Sequence, residues 1–498
     1  VPKRIVQETR FDWSGGLNTT KNPDGLGTNE LLEAINVRLI QGKMQKRSGC
    51  KRMHPTSINS ADPILGVFQW DAPAGKEVVA VTATRFAHKT SAFGDFTEKA
   101  LTVTATGPIT FQAFRDTSSA AALILYFSTG TGEMFKWDGT TLTNITGVNG
   151  APQTTLLKAY HTRIFAVDER FLKNLFWSDI GTGATWDGTP PSGGGQNAID
   201  TLTGEGIIAL EVVSRSIAVA TEESITRFTG YSGEDILIQQ DTEGISAMHG
   251  PISTNCFRRF EEFIGCLTDR GMYAISEARA EHISRKIQAE FDNTNRNSSA
   301  KYSIIYHRGR RELWVAVRHD DDTGVNSIFV YSLEDGTWTG PWLYTFADIQ
   351  DMARYEDANE DEFVMAGFDD GFVRHMDLGA LDDVLSDGTG GSANTMTATL
   401  APIFFETGPL IEKRLITMAL EADLTVNTAL KVFTSADGAA FVEQSASGGL
   451  SGVAGVVETE RVDLEGDMKR LLLRFTDASI DIPIVLGFQM AAYDMGRR

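Results

Sequence analysis

The sequence predicts an all-β chain: a β-propeller of seven blades, with six as the alternative count, an extended N-terminal arm and a C-terminal β-sandwich. Three observations predict it. Candidate innermost strands begin near Ile64, Ile109, Thr155, Ile207, Phe257, Ser303 and Ile349, at spacings of 45, 46, 52, 50, 46 and 46 residues. Self-similarity at about 40–50 residues marks four-stranded propeller blades. Glycine is frequent at 48 while proline is 14, the balance expected of many tight turns between short strands. Apolar residues come in short β-branched and aromatic runs with little helical periodicity.

Residues 1–55 differ from the rest. They carry ten Lys and Arg against five Asp and Glu, a charge of +5. The whole chain is −21, so the remainder is −26. Gly15-Gly16 and Pro23-Asp24-Gly25 are turn signals. Residues 29–34 (NELLEA) are expected to make one helical turn with Thr28 or Asn29 as N-cap. Residues 37–40 and 44–46 are expected to form a hairpin around Gln41-Gly42. Phe11, Trp13, Leu17, Leu31 and Leu32 are anchors with no evident core of their own. The segment reads as a basic docking arm for another surface. The alternative is a strand that completes the last blade and closes the propeller.

Residues 56–380 carry the repeat. Leu123-Ile124-Leu125-Tyr126-Phe127 is a buried strand, and 216–220 with 224–228 is a hairpin. Residues 263–267 with 272–275, and 312–318 with 327–333 and 337–338, are further units of this kind. Residues 381–394 are rich in Asp, Gly and Ser and read as a linker. Residues 395–498 bring a new strand series at 415–420, 429–434, 456–462, 469–476 and 484–493, which fits a β-sandwich.

Composition excludes several classes. An acidic chain is poorly suited to wrapping duplex DNA through phosphate contacts, which require clustered Lys and Arg. Three cysteines, Cys50, Cys256 and Cys266, make no disulfide framework and fit assembly in a reducing cytoplasm. Cys256 and Cys266 read as buried free thiols; metal ligation would need His partners that only the fold could bring in. No apolar run reaches the length of about 18 residues that a membrane helix needs. The start, Val-Pro-Lys-Arg, has no apolar stretch behind it, so no secretory signal is expected.

Motifs of chemistry are sparse. Trp137-Asp138-Gly139-Thr140, Trp186-Asp187-Gly188-Thr189 and Asp335-Gly336-Thr337-Trp338 recur at blade hairpins. Asp-Gly supplies a tight turn and Trp covers it; glycan stacking is the functional alternative. Residues 332–338 and 435–441 partly resemble the Asp-box hairpin of sialidases, itself a folding element. Arg308, Arg310, Arg311 and Arg318 are dense but sit on one unit. Asp357, Asn359 and Asp361 have the spacing of a calcium loop, but Glu362 stands where Gly is needed, so a solvated hairpin tip is expected. The run His319-Asp320-Asp321-Asp322 reads the same way. The eight histidines form no zinc motif. Neither 193–195 (GGG) nor 388–391 (GTGG) is followed by the Lys of a phosphate loop, and no nucleophile elbow occurs. No catalytic, cofactor or metal site is expected.

Three stretches together resemble a family. Phe11-Asp12-Trp13-Ser14-Gly15-Gly16-Leu17-Asn18, Asn36-Val37-Arg38, Gly42-Lys43-Met44 and Lys46-Arg47-Ser48-Gly49 are similar to the start of tailed-phage virion proteins. Ser48 replaces their usual Pro. Residues 244–246 with 266–273, and 330–338, resemble two further units of these proteins. The family is the propeller-containing tail nozzle or hub protein of short-tailed phages. The resemblance implies a non-enzymatic virion component, assembled in the host cytoplasm. It implies several copies, six in such tails, forming a ring below the portal and adaptor. Neighbours would include tail fibre or needle proteins. Genomic DNA would pass through the lumen without sequence-specific binding, and no membrane insertion is implied. An acidic lumen would repel phosphate and let DNA slide. The arm is then the expected interface: Phe11, Trp13, Gly15, Gly16, Leu17, Asn18, Leu31, Leu32, Arg38, Lys43, Lys46 and Arg47. Alternatives are another propeller-type virion protein for fibre attachment, decoration or host binding, or a glycan-acting enzyme or lectin.

Overall fold

The computed structural model describes residues 5–90, 94–117, 123–188, 193–199, 204–213, 216–230, 237–239, 250–276, 279–319, 322–404, 413–445, 449–453, 455–464 and 467–494. The family-like residues 244–246 lie outside this set. The chain is all-β; Gln288–Asp292 is the single α-helix among the described residues.

Six free-standing four-stranded antiparallel sheets form blades. Five are consecutive in the chain, with innermost strands Gly66–Ala72, Phe111–Arg115, Thr154–Tyr160, Ala209–Val213 and Phe257–Phe260. The sixth contains Ile349–Glu356, Glu362–Phe368 and Val373–Met376, and its outer strand is Cys50–Arg52 from the N-terminal segment. A further four-stranded unit sits between the fifth and sixth blades: Ser303–His307, Glu312–Val317, Ser327–Ser332 and Thr337–Leu343. It is not free-standing, because its outer strand continues into another sheet. Innermost strands of successive units touch around the ring, and Ile349–Glu356 returns to Gly66–Ala72. Each of the seven starts read from the sequence falls within two residues of one of these innermost strands.

Burial on both faces explains the strand texts. Leu123–Ser128 is nearly continuous in apolar residues because both its faces meet neighbouring blades. One inter-blade core gathers Trp70, Val79, Phe86, Phe127, Phe135 and Trp137. The Trp-Asp-Gly turns are structural: Trp137 is buried and donates through Nε1 to Glu77 Oε2 at 2.8 Å. Asp138 Oδ1 accepts the N–H groups of Thr140 and Thr141 at 2.8 and 2.7 Å. Trp338 Nε1 donates to the Ile283 carbonyl at 2.7 Å.

The N-terminal segment departs most from expectation. It is not a free arm. Residues 29–34 form no helical turn; Glu30–Ile35 is a strand between the outer strand of the fused unit and Met396–Leu400. The local text favours helix weakly, and tertiary pairing overrides it. One ten-stranded sheet therefore runs from Ser303–His307 at the channel through Glu30–Ile35 to Met396–Leu400, Leu471–Asp477, Lys431–Ala436 and Val442–Glu443. The second C-terminal sheet also recruits N-terminal strands. Val37–Ile40 and Lys43–Lys46 make the expected hairpin, which joins Ile484–Asp494. Ile5–Arg10 pairs with the same long strand. The 381–394 stretch is not a plain linker, since Leu381–Asp382 pairs with Ser392–Ala393. One hydrophobic core holds Trp13, Leu31, Trp314, Trp342, Phe475 and Phe488, drawn from all these parts.

Arg47 sits where they meet. It is fully buried, and all five of its N–H groups have acceptors. Nε donates to Asn36 Oδ1 at 2.8 Å. The two terminal nitrogens donate to both Asp382 oxygens at 2.8 and 2.6 Å, and to the Ser48 and Leu343 carbonyls. The guanidinium also lies 4.1 Å from the Tyr344 ring centre. Arg47→Ala leaves the Asp382 carboxylate buried without its cation. It is expected to cost about 3–5 kcal/mol, read as a lowered midpoint in urea unfolding, and Arg47→Lys should recover only part of that loss.

Candidate functional site

Most of the residues expected to dock on another chain are packed within this one. Trp13, Gly15, Gly16, Leu17, Asn18, Leu31, Arg38, Lys46 and Arg47 are buried, and Leu32 is half-buried. Phe11 and Lys43 stay exposed. Phe11 lies over Gly487, where any Cβ would strike its ring.

Each buried polar residue has a defined partner. Arg38 donates to Glu312 Oε1 at 2.6 and 3.1 Å, and to both oxygens of Asp377 at 3.2 Å. Lys46 Nζ donates to Asp477 Oδ2 at 3.1 Å and to the Ser479 carbonyl. Asn36 takes a left-handed φ of 53°, tolerable for Asn. Its amide links three parts: Oδ1 accepts from Leu343 N and Arg47 Nε, and Nδ2 donates to the Thr395 carbonyl. Gly16 has φ +69° and sits against Thr337 and Trp338, so a side chain there meets both strain and collision.

The second candidate is the propeller channel, a cavity of about 540 Å³ lined by innermost strands of every unit. Its polar lining carries no local sequence signature, because it is drawn from strands far apart in the chain: Gln69 and Asp71, Lys158, Glu211, Arg258 and Arg259, and four charged residues of the last blade. Lys158 and Glu211 bridge the third and fourth blades at 2.6 Å. Asp351 is fully buried and accepts from Val67 N at 3.1 Å and Asn255 Nδ2 at 3.2 Å. Burial pushes its carboxyl up to about 6. Asn255 Oδ1 accepts from Arg258 at 2.6 Å. Gln69 and Glu356 exchange hydrogen bonds at 2.6 and 2.7 Å across the first and last blades. The lining mixes Lys158, Arg258, Arg259 and Arg354 with Asp71, Glu211, Asp351, Glu356 and Glu362. A space of this size suits a small molecule rather than a duplex.

The other motifs resolve into local structure. Asp357 Oδ1 accepts the N–H groups of Asn359 and Asp361 at 2.8 and 3.0 Å, closing a hairpin tip. The dense arginines diverge: Arg310 pairs with Asp377, Arg311 with Glu261, and Arg318 donates to the Asp322 carbonyl and Ser298. Cys50, Cys256 and Cys266 are buried free thiols, and burial pushes Cys50 and Cys256 up to about 12. Among the described residues no group of three or more His, Cys, Asp or Glu is placed to hold a metal ion. Nor is any helix of theirs long and apolar enough to cross a membrane.

No family model and no curated protein matches the chain. Solved structures match it at low identity. The N-terminal domain of Nup159 is 12% identical, with a TM-score of 0.42, over 69% of this chain and 98% of that one. The BBS1 N-terminal domain in complex with ARL6 is 10% identical, with a TM-score of 0.43, over 67% and 98%. The extracellular domain of a putative hybrid two-component system from B. thetaiotaomicron is 11% identical, with a TM-score of 0.37, over 54% and 32%. These likenesses concern fold alone.

Glu30 offers a pH test of the arm. Burial raises its carboxyl, but the Gly27 N–H, the Asn18 amide and Lys286 outweigh that and bring it down to about 2. Lys286 lies at 3.1 Å and Lys21 at 3.4 Å. The folded chain therefore holds this group ionised below the pH at which the unfolded chain protonates it. Its stabilisation is present above about pH 4.5 and is lost as pH falls towards 2. Both lysines are partly exposed, so the contribution is on the order of 2 kcal/mol. Glu30→Gln should flatten that part of the stability–pH profile.

Proposed function

We propose that this chain is a structural virion protein, a nozzle or hub subunit of a short-tailed phage tail. Copies of it, six by the resemblance, form a ring below the portal and adaptor, and genomic DNA passes through the ring's lumen. The reading assigns it no catalysis. One observation carries it beyond the resemblance: the family-like residues are the ones that weld the chain into one body. Gly16, Asn36, Arg38, Lys46 and Arg47 bind the last blade, the fused unit and both C-terminal sheets together. A subunit that must keep its shape under a stream of DNA requires such a weld. The excess of acid over base outside residues 1–55 suits a lumen that repels phosphate. On this reading DNA runs between copies, because the propeller channel, about 540 Å³, is too small for a duplex.

A second reading, host binding or fibre attachment, draws on Phe171 and Leu172, which stand 52% and 46% exposed at the tip of a blade hairpin. Multi-angle scattering and negative-stain imaging of the full chain, alone and with portal–adaptor preparations, separate the two. Ring assembly in either setting is the expected result. A chain that stays monomeric in both and binds cells through Phe171 and Leu172 would overturn the nozzle reading.

A further inference from the structure

The last blade takes its outer strand from the other end of the chain, and two histidines lie along that seam. Cys50–Arg52 pairs with Val373–Met376, setting Lys51 opposite His375. Met53 N then donates to the Val373 carbonyl at 2.9 Å. His54 and His375 are both buried, 0% and 4% exposed. An imidazole kept neutral at a strand junction is a place where a change of charge acts on the pairing.

Hydrogen bonds fix the His54 ring in one neutral form. Nδ1 lies 2.6 Å from the Thr56 carbonyl oxygen, which only accepts, so Nδ1 carries the proton. Nε2 accepts from Val373 N at 2.8 Å. A second proton would have to sit on Nε2, where it would set a donor against the Val373 N–H. Phe96 and Phe372 cover the ring, with centres 4.9 and 5.2 Å away. Lys89 on Arg85–Lys89 and Arg374 on Val373–Met376 oppose a further cation, and Asp95 favours one. Burial, with those two cations behind it, brings the imidazole down to about 4. Burial also lowers the Lys89 amine to about 7, so it is fully charged in mild acid.

Neither ring nitrogen of His375 has a hydrogen-bond partner among the described residues. The ring packs edge-on against Tyr355 and Phe363, 5.4 and 4.3 Å between centres. Lys51 across the seam opposes its protonation, and Asp357, just after Ile349–Glu356, favours it. Burial is the larger effect and brings this imidazole down to about 4 as well. The ion pairs of the seam behave differently. Arg52 holds both Asp383 oxygens at 2.8 and 2.9 Å, and Arg374 reaches the same carboxylate at 2.8 Å and Asp370 at 2.9 Å. Burial raises the Asp383 carboxyl, but the two arginines outweigh it and hold it below the ordinary range. It stays ionised in mild acid, so the histidines are the groups that change.

We propose that this seam is an acid-sensitive latch: protonation of His54 and His375 parts Cys50–Arg52 from Val373–Met376 while the other blades stay folded. Parting the seam frees His54 and turns Val373–Met376 into an outer edge, which opens His375 to water. Each ring then regains its ordinary affinity for protons, near 6.5, whereas in the closed seam it binds them only near 4. The open form therefore binds more protons between those limits. Closure is fully favoured above about pH 7 and weakens as pH falls below about 6.5. By about pH 5 the opening equilibrium should have risen roughly tenfold for each histidine. The inference stands apart from the assembly reading, and its failure would leave that reading untouched.

The cysteines supply the test. Cys50 is a buried thiol on the latch strand, whereas Cys256 and Cys266 are buried at the fifth blade. The full chain is labelled with 4,4′-dithiodipyridine, which reacts with thiols in acid as well as at neutral pH, and each cysteine is followed by peptide mapping. Between about pH 7 and about pH 5, labelling of Cys50 relative to Cys256 and Cys266 should rise by tenfold or more. His54→Gln keeps an acceptor for Val373 N without a titrating ring, and His375→Leu removes no hydrogen bond. The double variant, shown by circular dichroism to be folded, should lose most of the rise. Should it not fold, His375→Leu alone should lose roughly tenfold of it. Cys50 labelling that does not change in acid, that rises in step with Cys256 and Cys266, or that rises as steeply in the variants would overturn the latch.

Discussion

The Arg47 guanidinium, buried against Asp382, is the constraint on which the other junctions depend. A buried charge is tolerable only when its partner and its hydrogen bonds are all in place. Here the acceptors come from Asn36 and Ser48 beside it, Leu343 on the fused unit and Asp382 in the hairpin after the last blade. These acceptors meet on one guanidinium because the N-terminal segment lies between the fused unit, the hairpin after the last blade and the C-terminal sheets. Arg38, reaching Glu312 and Asp377, and Lys46, reaching Asp477, repeat the same logic on either side.

Two consequences follow for the architecture. The last blade is closed by a strand from the other end of the chain, Cys50–Arg52, so ring closure does not rely on the Gly66–Ala72 contact alone. The fused unit gives up a free outer edge so that Glu30–Ile35 can carry its sheet outward. The joint there is a single residue pair, Ala34 with Gly340, reinforced by Asn36 N donating to the Pro341 carbonyl and Trp342 Nε1 to the Val37 carbonyl. Gly340 has φ +117° and lies against Ile328 and Phe329 of the neighbouring strand Ser327–Ser332, so the backbone at this joint needs glycine.

The repeat was legible because each blade is a local unit: its strands pair with their sequence neighbours, and its period shows in the text. The hairpin at 37–46 was legible for the same reason. The role of residues 29–34 was not. Glutamate, leucine and alanine there read as helix, and the decisive partner, Met396–Leu400, lies more than 360 residues away. Phe11, Trp13, Leu17 and Leu31 read as anchors awaiting a partner, which was sound chemistry, but the partner for Trp13, Leu17 and Leu31 is this chain's own interior. The acids that hold Arg38, Lys46 and Arg47 carry no local signature, since nothing about Glu312, Asp382 or Asp477 in sequence distinguishes them from the other acidic residues. The channel polar belt emerges only when innermost strands are laid side by side.

Residues 5–52 tie the propeller and the C-terminal sheets into one body, which should unfold cooperatively. Differential scanning calorimetry tests it most directly. A single transition is expected, in which propeller and C-terminal sheets unfold together with matching calorimetric and van't Hoff enthalpies. Two separate transitions, the C-terminal sheets melting while the blades stay folded, would contradict it.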